Sequence, residues 1–139
     1  MKATGSFLRL GAVVAATTAT ALSLGASEAS AASYGCTWAP WGNVCILIEG
    51  SGTYVSHVRV RRAKIDYSLI CNYRGKMTVR NRYGTLIERR WSPYHAGCTP
   101  IWAWFDWYPR RYYPNWSRIC TAFYENGVLQ GKPCNWVHR

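Results

Sequence analysis

The sequence predicts an all-β fold, an immunoglobulin-like antiparallel β-sandwich of about seven strands stapled by three disulfides. Three observations carry this expectation. Short segments rich in Val, Ile, Tyr and Trp alternate with turn signals, and nowhere does an apolar 3.6-residue period run for three turns. Six cysteines, Cys36, Cys45, Cys71, Cys98, Cys120 and Cys134, follow a leader that contains none. Beyond residue 31 the 139-residue chain leaves 108 residues, a length that suits one domain and hardly two.

The leader reads as a signal peptide over 1–31, followed by a single sandwich domain over 32–139. Lys2 and Arg9 give a positive n-region, the stretch from Leu10 to Leu24 is apolar, and Ala29-Ser30-Ala31 offers small residues for cleavage. Thr17, Thr18, Thr20 and Ser23 dilute the apolar run, which falls short of the ~20 residues that a spanning helix needs. The mature chain is therefore expected to be secreted and extracellular, with no membrane association once the leader is removed.

Strands are predicted near 45–49, 53–62, 68–80, 85–91, 100–107, 117–125 and 128–137. Glu49-Gly50-Ser51-Gly52 and Arg82-Tyr83-Gly84 supply turns between them. Asn126-Gly127 is a two-residue hairpin signal because both residues tolerate positive φ. Pro109 and Pro114 bracket a loop, since neither donates to a sheet ladder. In an oxidising compartment six cysteines imply three disulfides, which limit the unfolded ensemble of a small domain. Fifteen pairings are open; the simplest joins neighbours in sequence, Cys36 to Cys45, Cys71 to Cys98 and Cys120 to Cys134. No Cys-x-x-Cys pair or zinc-finger spacing occurs, so neither a metal nor another cofactor is expected.

Seventeen Lys and Arg stand against six Asp and Glu, a net charge of +11. Within the third predicted strand Arg74, Lys76, Thr78, Arg80 and Arg82 share one parity and Met77 and Val79 the other, which lines basic side chains along an outer face. Arg59 and Arg61 repeat the pattern against Val58 and Val60. Such a face suits either simple solvation or an acidic partner, with an association rate that depends on ionic strength. In the fifth predicted strand Ile101, Ala103, Phe105 and Trp107 share one face and Trp102, Trp104 and Asp106 the other. Either one set is core with the other under a loop, or the exposed set joins Tyr112, Tyr113 and Trp116 in an aromatic binding surface.

Catalytic motifs are scarce, and no enzyme is expected. His57, His95 and His138 are scattered, and no nucleophile elbow, HExxH motif or phosphate loop occurs. A basic ribonuclease would need a Glu, a His and an Arg brought together, for which Glu88, His95 and Arg90 are the candidates.

Several segments carry a family likeness: Gly35-Cys36, Ile70-Cys71-Asn72-Tyr73-Arg74, Ser92 to Cys98, and the hairpin from Ile119 to Gly127 with its closing Cys134. In these the chain resembles small secreted disulfide-rich β-sandwich proteins of filamentous actinobacteria, most concretely the small adaptor subunit of umbrella toxin particles. That resemblance implies a protein that links other subunits of an extracellular antibacterial toxin complex. Residues 32–41 hold aromatics but no strand-length run, so they are expected to form a short arm tethered through Cys36 and Cys45. The resemblance implies that this arm inserts Tyr34, Trp38 and Trp41 into a partner cleft. Actinobacterial amylase and protease inhibitors share the size, but this chain lacks their Trp-Arg-Tyr tripeptide and has one cysteine pair more.

The sequence thus points to a non-catalytic protein-binding module. Its candidate contact residues are Tyr34, Trp38, Trp41, Trp102, Trp104, Trp116, Arg74, Lys76, Arg80 and Arg82. The expected partner is another secreted protein, and an acidic one suits the charge; nucleic acid is not expected. Two alternatives are a hydrolase inhibitor that presents loop 108–116, and a module that binds cell-wall polymer or glycan through its aromatic and basic surface.

Overall fold

The computed structural model describes residues 32–139, so the leader lies outside the described residues. Eleven strands follow one another: β1 Ser33–Ala39, β2 Gly42–Ser51, β3 Tyr54–Lys64, β4 Leu69–Arg80, β5 Leu86–Trp91, β6 His95–Pro100, β7 Trp102–Trp107, β8 Arg111–Tyr112, β9 Ser117–Glu125, β10 Val128–Gly131 and β11 Cys134–Val137. All pairings are antiparallel. The first sheet has the order β1-β2-β3-β7, with β8 also on β3; the second has β10-β9-β4-β5, with β6 on β4 and β11 on β9.

The count exceeds seven for two physical reasons. Prolines interrupt three outer strands: Pro93 lies between β5 and β6, Pro109 between β7 and β8, and Pro133 between β10 and β11. Each half returns to the same central neighbour, so the sandwich is effectively four strands on four. The other addition is β1. Residues 33–39 are not an arm: every one of them is paired, from Ser33 opposite Ile48 to Ala39 opposite Gly42. With β1 set aside, β2-β3-β7 and β10-β9-β4-β5 have the A-B-E and G-F-C-C′ connectivity of an immunoglobulin-like sandwich.

Period-2 alternation builds the core. Val44, Ile46, Ile48, Val58 and Val60 point inward from the first sheet and meet Ile70, Met77, Val79, Ile119 and Phe123 of the second, all fully buried. Gly75 of β4 lets the sheets approach, because a Cβ there would lie 3.0 Å from the rings of Phe105 and Trp107. Turn chemistry follows the sequence at Asn126-Gly127, where φ is +49° and +78°. It departs at Gly50, which sits at a bulge inside β2 while the chain turns at Gly52 and Thr53.

The disulfides join neighbours in sequence: Cys36–Cys45, Cys71–Cys98 and Cys120–Cys134. Each links residues directly opposite one another in paired strands, β1 to β2, β4 to β6 and β9 to β11. Unlike the bridge of an antibody domain, none spans the two sheets. Every bridge fastens a peripheral strand that buries little of its own surface.

Candidate functional site

Strand register assembles two outer faces on opposite sides of the molecule. On the first sheet, Trp38, Asn43, Ala63 and Trp102 form one cross-strand row. Cys36, Cys45, Arg61 and Trp104 form the next, and Tyr34, Leu47, Arg59 and Asp106 the third. Trp38 is 87% exposed, Trp102 54% and Trp104 48%, so neither Trp102 nor Trp104 is core or lies beneath a loop. The opposite parity of that strand, Ala103, Phe105 and Trp107, packs into the core. Arg59, Arg61, Trp102 and Trp104 line a shallow cleft of about 160 Å³. That is well below the ~300 Å³ of a typical small-molecule pocket.

Electrostatics differ across this face. Arg59 donates to both oxygens of Asp106, at 2.7 and 3.2 Å, and is neutralised there. Arg61 donates to the Tyr34 hydroxyl at 3.1 Å, but its buried Nε has no hydrogen-bond partner. A buried guanidinium nitrogen without an acceptor is uncommon and costly, and here it lies amid exposed aromatics.

Sequence reasoning named Trp41 but missed Ile65, Tyr67, Leu69 and Ile101, with which it continues this surface around one end of the sandwich. Trp41, Ile65, Tyr67 and Leu69 are all more than half exposed and Ile101 is 40% exposed. Backbone bonds tie these turns together: Ile65 N–H donates to the Trp41 carbonyl and Lys64 N–H to the Ile101 carbonyl, each at 2.8 Å. Trp41 and Ile101 both hold positive φ, +59° and +69°, which bulky and β-branched residues rarely adopt. The signal in the sequence was Ile65-Asp66-Tyr67, apolar residues at a turn where polar ones are usual.

Beneath this end lies Arg62, fully buried, whose Nε donates to the Glu125 Oε2 at 3.1 Å. Its other nitrogens donate to the carbonyls of Ala63, at 2.7 Å, and of Pro40. Lys64 pairs with the second Glu125 oxygen at 2.9 Å. The turn that displays Trp41 is thus pinned from below. Arg62 could have been found by parity, since it falls in phase with Val58 and Val60.

At the far end of the same face His57 lies between two carboxylates, Glu49 at 2.9 Å and Asp106 at 2.6 Å, with Tyr108 stacked on its ring. Both ring nitrogens are taken, which leaves none facing an incoming substrate. Burial alone would raise the Asp106 carboxyl, but hydrogen bonds from Arg59 and His57 outweigh it and hold the group below the usual carboxylate range. A carboxyl depressed by folding stabilises the fold above its unfolded pKa of ~3.9, and that contribution disappears as pH falls through the lower folded value. Asp106→Asn is therefore expected to flatten the loss of stability below about pH 4. Urea midpoints in an acid series measure this, and parallel profiles for variant and parent would refute the coupling.

The second outer face carries the other ladder. Arg74, Lys76, Thr78 and Arg80 of β4 point outward beside Tyr124, Ala122, Cys120 and Arg118 of β9. Trp91 and Arg89 flank them from β5, and Trp136 of β11 lies opposite Arg118. Arg59 and Arg61 belong to the first sheet, so the two basic ladders back onto each other rather than forming one face. Arg82 sits in the turn beyond β4, where it lines a hollow with Trp116 and Trp136.

The remaining aromatic candidates divide. Tyr112 is exposed, but Tyr113 is buried and donates its hydroxyl to Glu88 at 2.6 Å. Burial, together with that carboxylate, pushes the Tyr113 phenol well above its ordinary value. Trp116 is exposed at the opposite end from Trp102 and stacks on His138. Arg111 and Tyr112 pair with β3, so loop 108–116 lies along the sheet instead of protruding. Glu88 and Arg90 touch, but His95 is not with them. On β4 their partners are Val79, Met77 and Tyr73, which sets Glu88 and His95 six residues apart, about 20 Å along the strand.

Among the described residues no group of His, Cys, Asp or Glu could hold a metal ion, and no helix is long and apolar enough to cross a membrane. No protein-family model matches the chain, and no curated protein matches it.

Proposed function

We propose that the chain is an exported, non-catalytic protein-binding module that docks through the outer face of its first sheet, as an adaptor subunit of an extracellular antibacterial toxin complex. The observation that carries the docking surface is one outer face with exposed tryptophans at both margins, Trp38 on β1 and Trp102 and Trp104 on β7, and between them an Arg61 whose Nε lacks an acceptor. Exposed apolar patches of this kind mark interaction sites, and Trp and Arg are the residue types that anchor interfaces. The three disulfides fit an oxidising compartment. The adaptor role is supported by the family likeness in the cysteine and strand arrangement.

The test is recovery of the tagged protein from culture medium with whatever protein stays bound through gel filtration, followed by dissociation kinetics of the purified pair. Trp104→Ala is expected to speed dissociation about 30-fold, the equivalent of the ~2 kcal/mol that a central aromatic anchor contributes. Its thermal melt must stay cooperative for the result to count. A folded Trp102→Ala/Trp104→Ala variant that holds its partner as the parent does rejects this face.

A further inference from the structure

The outer face of the second sheet carries a separate feature. Arg74, Lys76, Arg80, Arg89 and Arg118 all project from it, and none of the five pairs with a carboxylate among the described residues. Every acid of residues 32–139 lies elsewhere. Glu49 and Asp106 are on the first sheet's outer face, Asp66 is in the turn after β3, Glu88 bonds the buried Tyr113, and Glu125 bonds the buried Arg62. Along β4 the residue pairs give a cation at each two-residue step: Arg74, then Lys76, then Arg89 opposite Thr78, then Arg80 with Arg118. Steps of about 6.7 Å make a cationic track roughly 20 Å long.

We propose that this track binds a linear phosphodiester polymer without bases, of the alditol-phosphate type carried by cell walls. Three features select that chemistry. Arg and Lys are donors only, so the complementary chain is one rich in acceptors. An acidic peptide laid across a sheet face, away from any strand edge, would turn backbone N–H donors toward a surface of donors, whereas a phosphodiester presents acceptors alone. Nucleic acid is disfavoured because the rings on this face are already engaged. Arg74 lies 3.8 Å over Trp91, Lys76 is 5.0 Å from Trp91 and 5.5 Å from Tyr124, and Arg118 is 5.7 Å from Trp136. A base that stacked there would compete with these cations for the rings. The same contacts hold the charges in place before the ligand arrives, and the Arg74 Nε is buried with no hydrogen-bond partner. A three-carbon bridge between phosphates gives a repeat of the same order as the cation spacing.

The experiment titrates the folded protein with a labelled glycerol-phosphate oligomer of about four repeats, to match the roughly 20 Å track. Oligothymidylate and oligoglutamate of equal charge serve as competitors. The glycerol-phosphate oligomer is expected to bind best, with log affinity falling against log salt at a slope of about −3 for about four phosphate contacts. Each cation changed to Gln is expected to weaken binding about fivefold, and Arg74→Gln/Arg80→Gln about 25-fold. Should that pair of changes disturb the melt, the exposed Arg89→Gln and Arg118→Gln carry the test. Trp102→Ala/Trp104→Ala is expected to leave this binding unchanged, which separates it from the docking face on the first sheet. Equal or tighter binding of either competitor overturns the proposal, as does unchanged affinity in the folded Gln variants.

Discussion

Glu125→Leu is expected to cost about 3–5 kcal/mol of stability, because it leaves the Arg62 guanidinium buried without its carboxylate. Arg62 has no solvent exposure, and the carbonyls of Ala63 and Pro40 that it also reaches cannot neutralise its charge. The reciprocal change, Arg62→Met, is expected to cost less, since Lys64 remains within 2.9 Å of Glu125 and still compensates it. Replacing both residues, Arg62→Met with Glu125→Leu, should recover much of the loss, as apolar replacement of a buried ion pair is often near neutral. Urea unfolding with an unchanged m-value reads all three. If Glu125→Leu costs less than Arg62→Met, the buried charge is not what makes this site sensitive. In the double variant the Pro40 carbonyl loses its donor, so amide exchange at Trp41 and Gly42 should quicken even where global stability returns. That would tie the buried pair to the rigidity of the exposed aromatic end.

Reduction of all three disulfides is expected to unfold the domain at room temperature. Their sequence separations are 9, 27 and 14 residues. On the chain-entropy scale such loops contribute about 9 kcal/mol together, comparable with the whole 5–15 kcal/mol stability of an ordinary domain. The individual bridges should differ in kind as well as size. Removing Cys71–Cys98, the longest loop, is expected to lower global stability most, by about 3.5 kcal/mol. Removing Cys36–Cys45 is expected to fray β1 locally, because that strand alternates half-buried and exposed residues and contributes no fully buried side chain. Hydrogen exchange separates local fraying from global loss, and labelling of the unreduced protein should find no free thiol. A reduced chain that keeps the parent urea midpoint would refute this account.

Much of the fold was legible in the residues themselves. Alternation of period 2 set which side chains share a strand face, so Val58 and Val60 were separable from Arg59 and Arg61 without coordinates. Asn126-Gly127 marked its hairpin because few other dipeptides hold positive φ twice. Neighbour pairing of the cysteines was the simplest of fifteen; only Cys36–Cys45 joins strands adjacent in sequence, whereas Cys71–Cys98 and Cys120–Cys134 join β4 to β6 and β9 to β11, each with one strand intervening in the chain. Two short elements escaped: β8, at two residues, has no pattern to detect, and β6 is a run of exposed residues around Gly97 held on β4 by Cys98.

What the sequence could not decide is whether a given face is covered, and that is set by contacts far apart in the chain. The run from Trp102 to Trp107 states that Trp102 and Trp104 oppose Phe105 and Trp107; only its pairing to β3 at the margin of the first sheet leaves the former open to solvent. The strand character of residues 33–39 likewise comes from β2, whose free edge offers backbone partners to a segment with little burial of its own. Placing β3 in one sheet and β4 in the other turned a single expected basic surface into two, one in which Asp106 neutralises Arg59 and one without a carboxylate. Local chemistry determined most of the strands, the Asn126-Gly127 hairpin and the number of disulfides. Long-range pairing decided which aromatics and which charges face outward together, because burial depends on what lies across the sandwich and not on the strand that carries the residue.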